Sequence, residues 1–408
     1  MGIATVLDVG STKVTCLVAE PIAGDGIGIV AVGTAPCTGV KRGVVSDIES
    51  TAQAISAAVG QVEGKLGVEV NDFHVSVNGS HVEGSTARGM VPILPRSRSI
   101  TREDVLQVLN HSRQIPVSDA LELLHTMPRE FVIDGEHGVH QPVGRTGGQL
   151  EVSTYVLTGK REAIEPLERA VGGAGKRVGQ LIAGPLASGM GVLSPQDIEF
   201  GAVCIDIGGG KTDVAVFSEG SLIHCASIPI GGTLVTSDIA HLVRTSTETA
   251  DSLKVAKGAA MSASVPEGDS VDVMQLGHIE ARPMQRRVLC EIIESRMREI
   301  ANHAKTVIEK SGKSRFANGV SLTGGASMLP GTAELFEAIL GVGTVRSGRP
   351  SQSLPAMPVN APSAASFSAA VGLARFAFDS FEDELVPANG QNWQAKVRSL
   401  WSMFAAKP

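Results

Sequence analysis

The chain alternates between two hydrophobic rhythms: short β-branched runs, and longer stretches in which apolar residues recur at helical spacing. Residues 3–19 read as two apolar strands joined by a small turn, and Ile27–Gly33 as a third strand. Val44-Val45-Ser46-Asp47 precedes Ala, Ile and Val at helical spacing through Val62, a helix that Ser46 or Asp47 would cap. Phe73–Asn78 alternates like a strand. Residues 84–159 are more polar and carry their own small β/α pattern. In it, Ser99–Glu103 opens a helix to about Arg113, Leu121–Leu124, Arg129–Ile133 and Glu151–Leu157 read as short strands, and Gly144–Gly148 as a loop. Lys160–Val171 predicts a helix, Val178–Ala183 a strand and Pro185–Leu193 another helix. A second apolar hairpin spans 203–217, and Thr236–Arg244 follows as a helix. Residues 245–310 read as charged and mostly helical, with a short loop around Pro266–Ser270 and one long amphipathic helix over Arg286–Lys310. A strand at Val320 and a helix from Ser363 to about Phe378 complete an α/β pattern of doubly wound type.

The second hairpin carries the strongest chemical signal. Val203-Cys204-Ile205 leads to Asp206, then Gly208, Gly209 and Gly210, then Lys211, Thr212 and Asp213 before the return strand. Glycines let backbone N–H groups approach a phosphate closely. A carboxylate at the end of the first strand can hold a hydrated Mg²⁺ against such phosphates. Gly210-Lys211-Thr212 is not a Walker A loop, because that motif needs Gly at position 205, which is Ile, and a helix where Val214–Phe217 reads as strand. No Gly-x-Gly-x-x-Gly opens a helix, so the dinucleotide fingerprint is absent too. A single Gly-rich hairpin with no ligand would look the same. A second copy decides between them: Asp8, Gly10, Ser11, Thr12 and Lys13 repeat the order at the N-terminal hairpin, with Asp8 matching Asp206, Gly10 matching Gly208 and Lys13 matching Lys211. Two matched hairpins half a chain apart predict two related lobes facing one polyphosphate. Asp8 and Asp206 would hold the metal, and Gly10–Lys13 and Gly208–Thr212 the phosphates. The strand Val320–Thr323 ends in Gly324-Gly325, where the missing side chains allow a flat ring to lie against backbone.

Composition narrows the classes. The 408 residues suffice for two or more cores, and a net charge of −7 argues against a nucleic-acid partner. Cys16, Cys37, Cys204, Cys225 and Cys290 are odd in number and scattered, which reads as reduced structural thiols. The chain enters a core strand at once, so no secretory leader is expected. No run approaches the ~20 apolar residues of a membrane span.

The three Gly-rich elements in this order resemble the phosphate 1, phosphate 2 and adenosine motifs of the actin-like ATPase superfamily. Within it, Arg42-Gly43-Val44-Val45-Ser46-Asp47, Gly89-Met90-Val91-Pro92-Ile93, Val235-Thr236-Ser237-Asp238-Ile239-Ala240 and Leu322-Thr323-Gly324-Gly325-Ala326 resemble the FtsA family over roughly residues 3–378. The resemblance implies a duplicated two-lobed actin-like fold that binds ATP with Mg²⁺. It divides the chain into a first lobe at 1–83 with 160–195 and 360–378, an inserted family-specific subdomain at 84–159, and a second lobe at 196–236 with 312–359. A helical subdomain at 237–311, a linker at 379–391 and a terminal helix at 392–408 complete the division. It implies that Asp251 and Lys254 touch ribose and base, although a solvated helix ion pair has the same pattern. It implies that Arg296 and Glu299 grip the acidic C-terminal peptide of FtsZ, where a solvated helix face is the plain alternative. The insertion would serve self-association into a polymer and contact with later division proteins, or merely decorate the fold. Relatives with active hydrolysis begin the helix after residue 183 with Glu-Pro, where this chain has Gly184-Pro185, so slow or absent turnover is expected. The resemblance implies a place on the cytoplasmic face of the inner membrane at the septum. A pilus-assembly adaptor of the same fold, or a small-molecule kinase of the superfamily, are the rivals.

Both tryptophans of the chain fall in its last 16 residues. On a helix, Trp393, Val397, Leu400, Trp401 and Phe404 fall within an arc of roughly 100°. Lys396 and Arg398 flank this face, and no acid follows Asn392. A bulky aromatic face with basic flanks suits a membrane interface, and a terminal helix docked on its own lobe is the alternative.

Overall fold

The computed structural model describes residues 2–22, 26–114, 118–313, 315–350 and 364–379. Two five-stranded sheets repeat one topology. In the first, Ala4–Val9 lies central, Lys13–Ile22 and Gly26–Pro36 follow as an antiparallel meander on one side, and Asp72–Val77 and Arg177–Ala183 add in parallel on the other. In the second, Ala202–Ile207 takes the central place, Thr212–Ser218 and Ser221–Ile228 form the meander, and Val320–Thr323 and Val345–Ser347 add in parallel. The central strands are almost wholly buried, which matches their unbroken apolar runs. The predicted duplicated α/β architecture is borne out.

Local chemistry explains the helix starts. The helix Ile48–Leu66 is capped by Asp47, whose side chain accepts from the Ser50 amide, so Asp47 and not Ser46 takes that role. Arg102–Arg113 begins with a capping box in which Thr101 and Asp104 satisfy each other's backbone. The long helix Arg286–Lys310 has the predicted bounds and buries Leu289, Ile293, Met297, Ile300 and Ala304 along one face.

Two parts differ from the expectation. Leu121–Leu124 and Arg129–Ile133 are one continuous strand, Leu121–Ile133. Pro128 interrupts its apolar pattern, yet the ladder tolerates it because the pairing to Gln149–Lys160 shifts register between Ser153 and Thr154, where Pro128 faces Thr154. Residues 245–310 contain not a simple loop but a polar hairpin, Ser270–Val273 against Arg282–Gln285, between Thr247–Lys257 and the long helix. Its strands are too short and too polar to announce themselves by alternation.

The insertion is a four-stranded sheet in the order Glu83–Pro92, Gln149–Lys160, Leu121–Ile133, Glu136–Val139. Arg102–Arg113 covers one face, over a small core of its own that includes Ile93, Val108, Leu150 and Val152. The other face joins the large core of the first lobe through Leu124, Tyr155 and Leu157. The helix Ser368–Asp379 packs on Gly184–Val192 and the first sheet. The sequence-predicted linker beyond Asp379 and the aromatic stretch with Trp393, Lys396, Val397, Arg398, Leu400, Trp401 and Phe404 lie outside the described residues.

Asp104 is the electrostatic knot of the insertion. Its carboxylate accepts from both guanidinium nitrogens of Arg98 at 2.7 Å, and from the Thr101 amide and hydroxyl at 2.7 Å. The Arg98 hydrogen bonds hold its carboxyl far below the usual range. A depressed carboxyl stabilises the fold fully above its unfolded value and loses that contribution as pH falls below about 4. Asp104→Asn is expected to destabilise the insertion by about 1–3 kcal/mol at neutral pH. Hydrogen exchange of the strands around it, followed from about pH 5 down to about pH 2, should show the variant less acid-sensitive than the parent chain.

Candidate functional site

The two Gly-rich turns meet face to face between the lobes. Each closes in the same way, with the Gly10 amide donating to the Lys13 carbonyl at 3.0 Å and the Gly208 amide to the Lys211 carbonyl at 3.0 Å. A Cβ on Gly209 would come within 2.3 Å of Thr12 Cγ2, and one on Gly210 within 2.4 Å of Ser11 Oγ. Only glycine permits that approach. The amides of Ser11, Thr12, Gly209 and Gly210 make no backbone hydrogen bond among the described residues, so four donors stand at one seam.

The two aspartates end their strands on either side of this seam. The Ser76 hydroxyl donates to Asp8 Oδ1 at 2.8 Å, and the Ser188 hydroxyl to Asp206 Oδ2 at 2.5 Å. Burial, with Asp213 and Asp8 nearby, raises the Asp206 carboxyl to about 6. A raised carboxyl binds its proton more tightly in the folded chain, so it costs stability as pH rises from about 4 through its folded value. A cation beside it would remove that cost. Among the described residues no group of three or more His, Cys, Asp or Glu could cage a metal. A divalent ion here would need phosphate and water for most of its ligands, which suits hydrated Mg²⁺.

The other predicted residues divide. Gly324, at φ 86°, abuts the second aspartate: a Cβ there would lie 2.2 Å from Asp206 Oδ1. Gly325 opens the short helical turn Gly325–Met328, and Ala326 of that turn faces Gly232. The Lys254 ammonium donates to Asp251 Oδ1 and to Thr236 Oγ1 at 2.6 Å and to the Gly232 carbonyl at 3.3 Å. Asp251, Lys254, Gly324 and Gly325 therefore border one corner around Gly232. The Lys13 ammonium donates to Ser366 Oγ at 3.2 Å and lies over the Phe367 ring at 3.9 Å. Burial lowers the Lys13 pKa, and Asp8 and Asp206 oppose that shift. Lys211 pairs with Asp213 and runs along the first lobe, where a Cβ on Gly184 would lie 3.3 Å from its ammonium and one on Gly43 2.9 Å from its stem, and Thr212 Oγ1 donates to the Ile230 carbonyl at 2.8 Å. Arg296 lies apart from the seam on the long helix. Its guanidinium grips Asp238 in bidentate fashion at 2.7 and 2.9 Å and Glu299 at 2.5 Å. It is a half-buried ion-pair network and not a bare solvated face.

Sequence reasoning missed several neighbours. Gly232 and Thr233, at the start of the helix Gly232–Val243, donate their amides to the Gly208 and Gly209 carbonyls at 2.9 and 2.8 Å. The Gly231-Gly232 pair just after a strand was the signal for a helix N-terminus pressed on the second turn. Asn78 was also missed. A Cβ on Gly184 would fall 2.1 Å from Asn78 Oδ1, so Asn78 fills the space a larger residue at 184 would need. No periodicity announces such a contact.

Comparison with solved structures defines the class. The protein from a type IV pilus PilM–PilN complex aligns with TM-score 0.61 at 16% identity over 91% of this chain and 97% of that one. MreB5 of Spiroplasma citri, solved bound to ADP, aligns with TM-score 0.56 at 13% identity over 95% and 99%. The fold is that of the actin-like proteins. At the level of sequence, the family model "Cell division protein FtsA" matches residues 203–372 and "SHS2 domain inserted in FTSA" matches 79–158. Cell division protein FtsA of Pseudomonas aeruginosa is 35% identical over 345 residues, 84% of this chain and 82% of that protein. Its counterpart in Escherichia coli K12 is 33% identical over 352 residues, 84% and 83%. The chain belongs to the FtsA family of cell-division proteins. The rival readings, a pilus adaptor or a small-molecule kinase, are not favoured by these matches.

The seam makes a steric prediction. Gly209→Ala should destabilise the folded chain by about 1–3 kcal/mol through overpacking against Thr12. Thr12→Ser removes the methyl that the new Cβ would meet, so the double variant should recover part of that loss in thermal denaturation.

Proposed function

We propose that this protein is an ATP-binding tether that links FtsZ filaments to the inner surface of the cytoplasmic membrane and gathers later division proteins at the septum. One observation carries the nucleotide part: two matched Asp-Gly turns face each other across one seam, and the Ser11, Thr12, Gly209 and Gly210 amides make no backbone hydrogen bond among the described residues. The triphosphate would enter between Gly10–Lys13 and Gly208–Thr212. Mg²⁺, held through water by Asp8 and Asp206, would supply the charge that makes two facing carboxylates tolerable. The base would rest on Gly324 and Gly325, beside Asp251 and Lys254. The MreB5 neighbour bound to ADP supports a nucleotide in this fold. Because the turns touch, they must part by the width of a phosphate group, so binding and lobe movement are one event. Gly184, backed by Asn78, offers no carboxylate to orient water, which supports slow or absent turnover.

The tether part rests on family membership and on the sequence of the tail. Arg296 and Glu299 would receive the acidic C-terminal peptide of FtsZ, whose carboxylates would have to compete with Asp238 for the guanidinium. The aromatic face of Trp393, Val397, Leu400, Trp401 and Phe404, with Lys396 and Arg398 beside it, would lie in the headgroup layer. Among the described residues no helix is long and apolar enough to cross a membrane, so attachment would rest on this stretch. Such a short helix binds weakly alone, and self-assembly into an actin-like polymer would multiply the contacts. The insertion at 84–159 would present the surface for self-association and for later division proteins. The domain division read from the sequence belongs to the same proposal.

Vesicle flotation tests it. With vesicles containing anionic lipid, FtsZ and Mg-ATP, the full chain should float and carry FtsZ with it. A chain ending at Pro387 should leave both in solution. Asp206→Asn should weaken Mg-ATP binding about tenfold or more and lower the floated fraction accordingly. Flotation equal for all three proteins would overturn the reading.

A further inference from the structure

The insertion touches both lobes, and it does so at the outer strands of their sheets. Arg177–Ala183 is the outer strand of the first sheet, and Ser221–Ile228 is the outer strand of the second. On the first edge, the Ala183 amide donates to His125 Nε2 at 3.0 Å. On the second, the Cys225 amide donates to the Tyr155 hydroxyl at 3.0 Å, and the Ser221 hydroxyl donates to the Pro128 carbonyl at 2.7 Å. His125 and Tyr155 are buried and lie on neighbouring strands of the insertion: His125 pairs with Leu157 and Tyr155 with Met127, which makes them diagonal neighbours on one face. One sheet thus meets two separate sheets, with His125 on an edge amide of the first, and Tyr155 on an edge amide of the second beside the Ser221–Pro128 hydrogen bond.

Each anchor lies close to the seam. Ala183 immediately precedes the helix Gly184–Val192, whose Ser188 donates to Asp206. Cys225 is two residues from Ser227, whose hydroxyl donates to Asp213 Oδ1 at 2.5 Å, and Asp213 holds Lys211 of the second turn. Displacement of the second turn therefore reaches Cys225 through a chain of direct contacts, and displacement of the helix at 184 reaches Ala183 directly. Close-packed contacts of this kind shift between discrete arrangements and do not stretch.

We propose that the insertion is a clamp across the two lobes, and that parting of the Gly-rich turns re-angles it by breaking one edge contact, the Tyr155–Cys225 hydrogen bond, while His125 keeps its hold on the first lobe. The proposal rests on the nucleotide reading above, because nucleotide entry is what parts the turns. It gives the insertion a role in reporting the nucleotide state: the surface it offers to partners is oriented by the site between the lobes. The asymmetry follows from the contacts. His125 is enclosed by its own lobe, with the Phe376 ring 5.1 Å away in an edge-to-face arrangement. Tyr155 reaches across to the other lobe and passes so close to Gly84 that a Cβ there would lie 1.9 Å from its hydroxyl.

Hydrogen exchange of the full chain, with and without Mg²⁺ and a non-hydrolysable ATP analogue, tests this. In the parent protein the nucleotide should protect both Gly-rich turns, and should speed exchange at the Cys225 amide and along Leu121–Ile133 by about threefold or more. In Tyr155→Phe, which keeps the ring and removes the acceptor, those amides should already exchange fast, and the nucleotide should change them by less than about half as much while the turns stay protected. Ser221→Ala, a milder change on the outer strand, should shift the response in the same direction if Tyr155→Phe folds poorly. Turns protected with no response in the insertion of the parent protein, or an equal response in parent and variants, would overturn the clamp. No protection at either turn would overturn the nucleotide reading and the clamp with it.

Discussion

Everything in this molecule depends on one close approach, the contact of Gly209 and Gly210 with Thr12 and Ser11 across the two lobes. Each turn is the end of a buried strand, so its position is set by a whole sheet. Backbone amides that a sheet would otherwise consume are left at the seam, and two carboxylates stand beside them. In water such a pair would be unremarkable. Half enclosed, with Asp213 also near, one of them is pushed up to about 6. The lobes therefore pack around a pair of carboxylates with the Lys13 and Lys211 ammonium groups nearby, and a magnesium-bound polyphosphate is the kind of ligand such a centre would suit.

Much of this was legible in the sequence because duplication makes a weak signal strong. Asp8-Val9-Gly10 or Asp206-Ile207-Gly208 alone is an ordinary turn; their repetition defined two lobes and their facing geometry. The helix starts near Ser46-Asp47 and within Ser99–Glu103 were legible because capping is a local transaction between residues three apart, and the structure settles the caps as Asp47 and Thr101. The long helix Arg286–Lys310 was legible because its apolar stripe holds for its whole length.

What escaped the sequence is what tertiary contact decides. That the Lys13 ammonium would meet Ser366, and the Lys211 ammonium Asp213, is set by contacts that no local pattern announces. Arg296 looked like an open helix face until Asp238, 58 residues away in the chain, closed on it. The break expected between Leu124 and Arg129 vanished because a register shift gave Pro128 a place without a donor. Asn78 and Gly184 are 106 positions apart, and only the fold shows that one fills the space of the other.

A crystal structure of the full chain with Mg²⁺ and a non-hydrolysable ATP analogue should show phosphates between residues 10–12 and 208–210, the metal within a water's reach of Asp8 and Asp206, the base against Gly324 and Gly325, and the two turns moved apart from their present contact. A nucleotide bound elsewhere, or turns that stay in contact with nucleotide present, would contradict a nucleotide site between the turns.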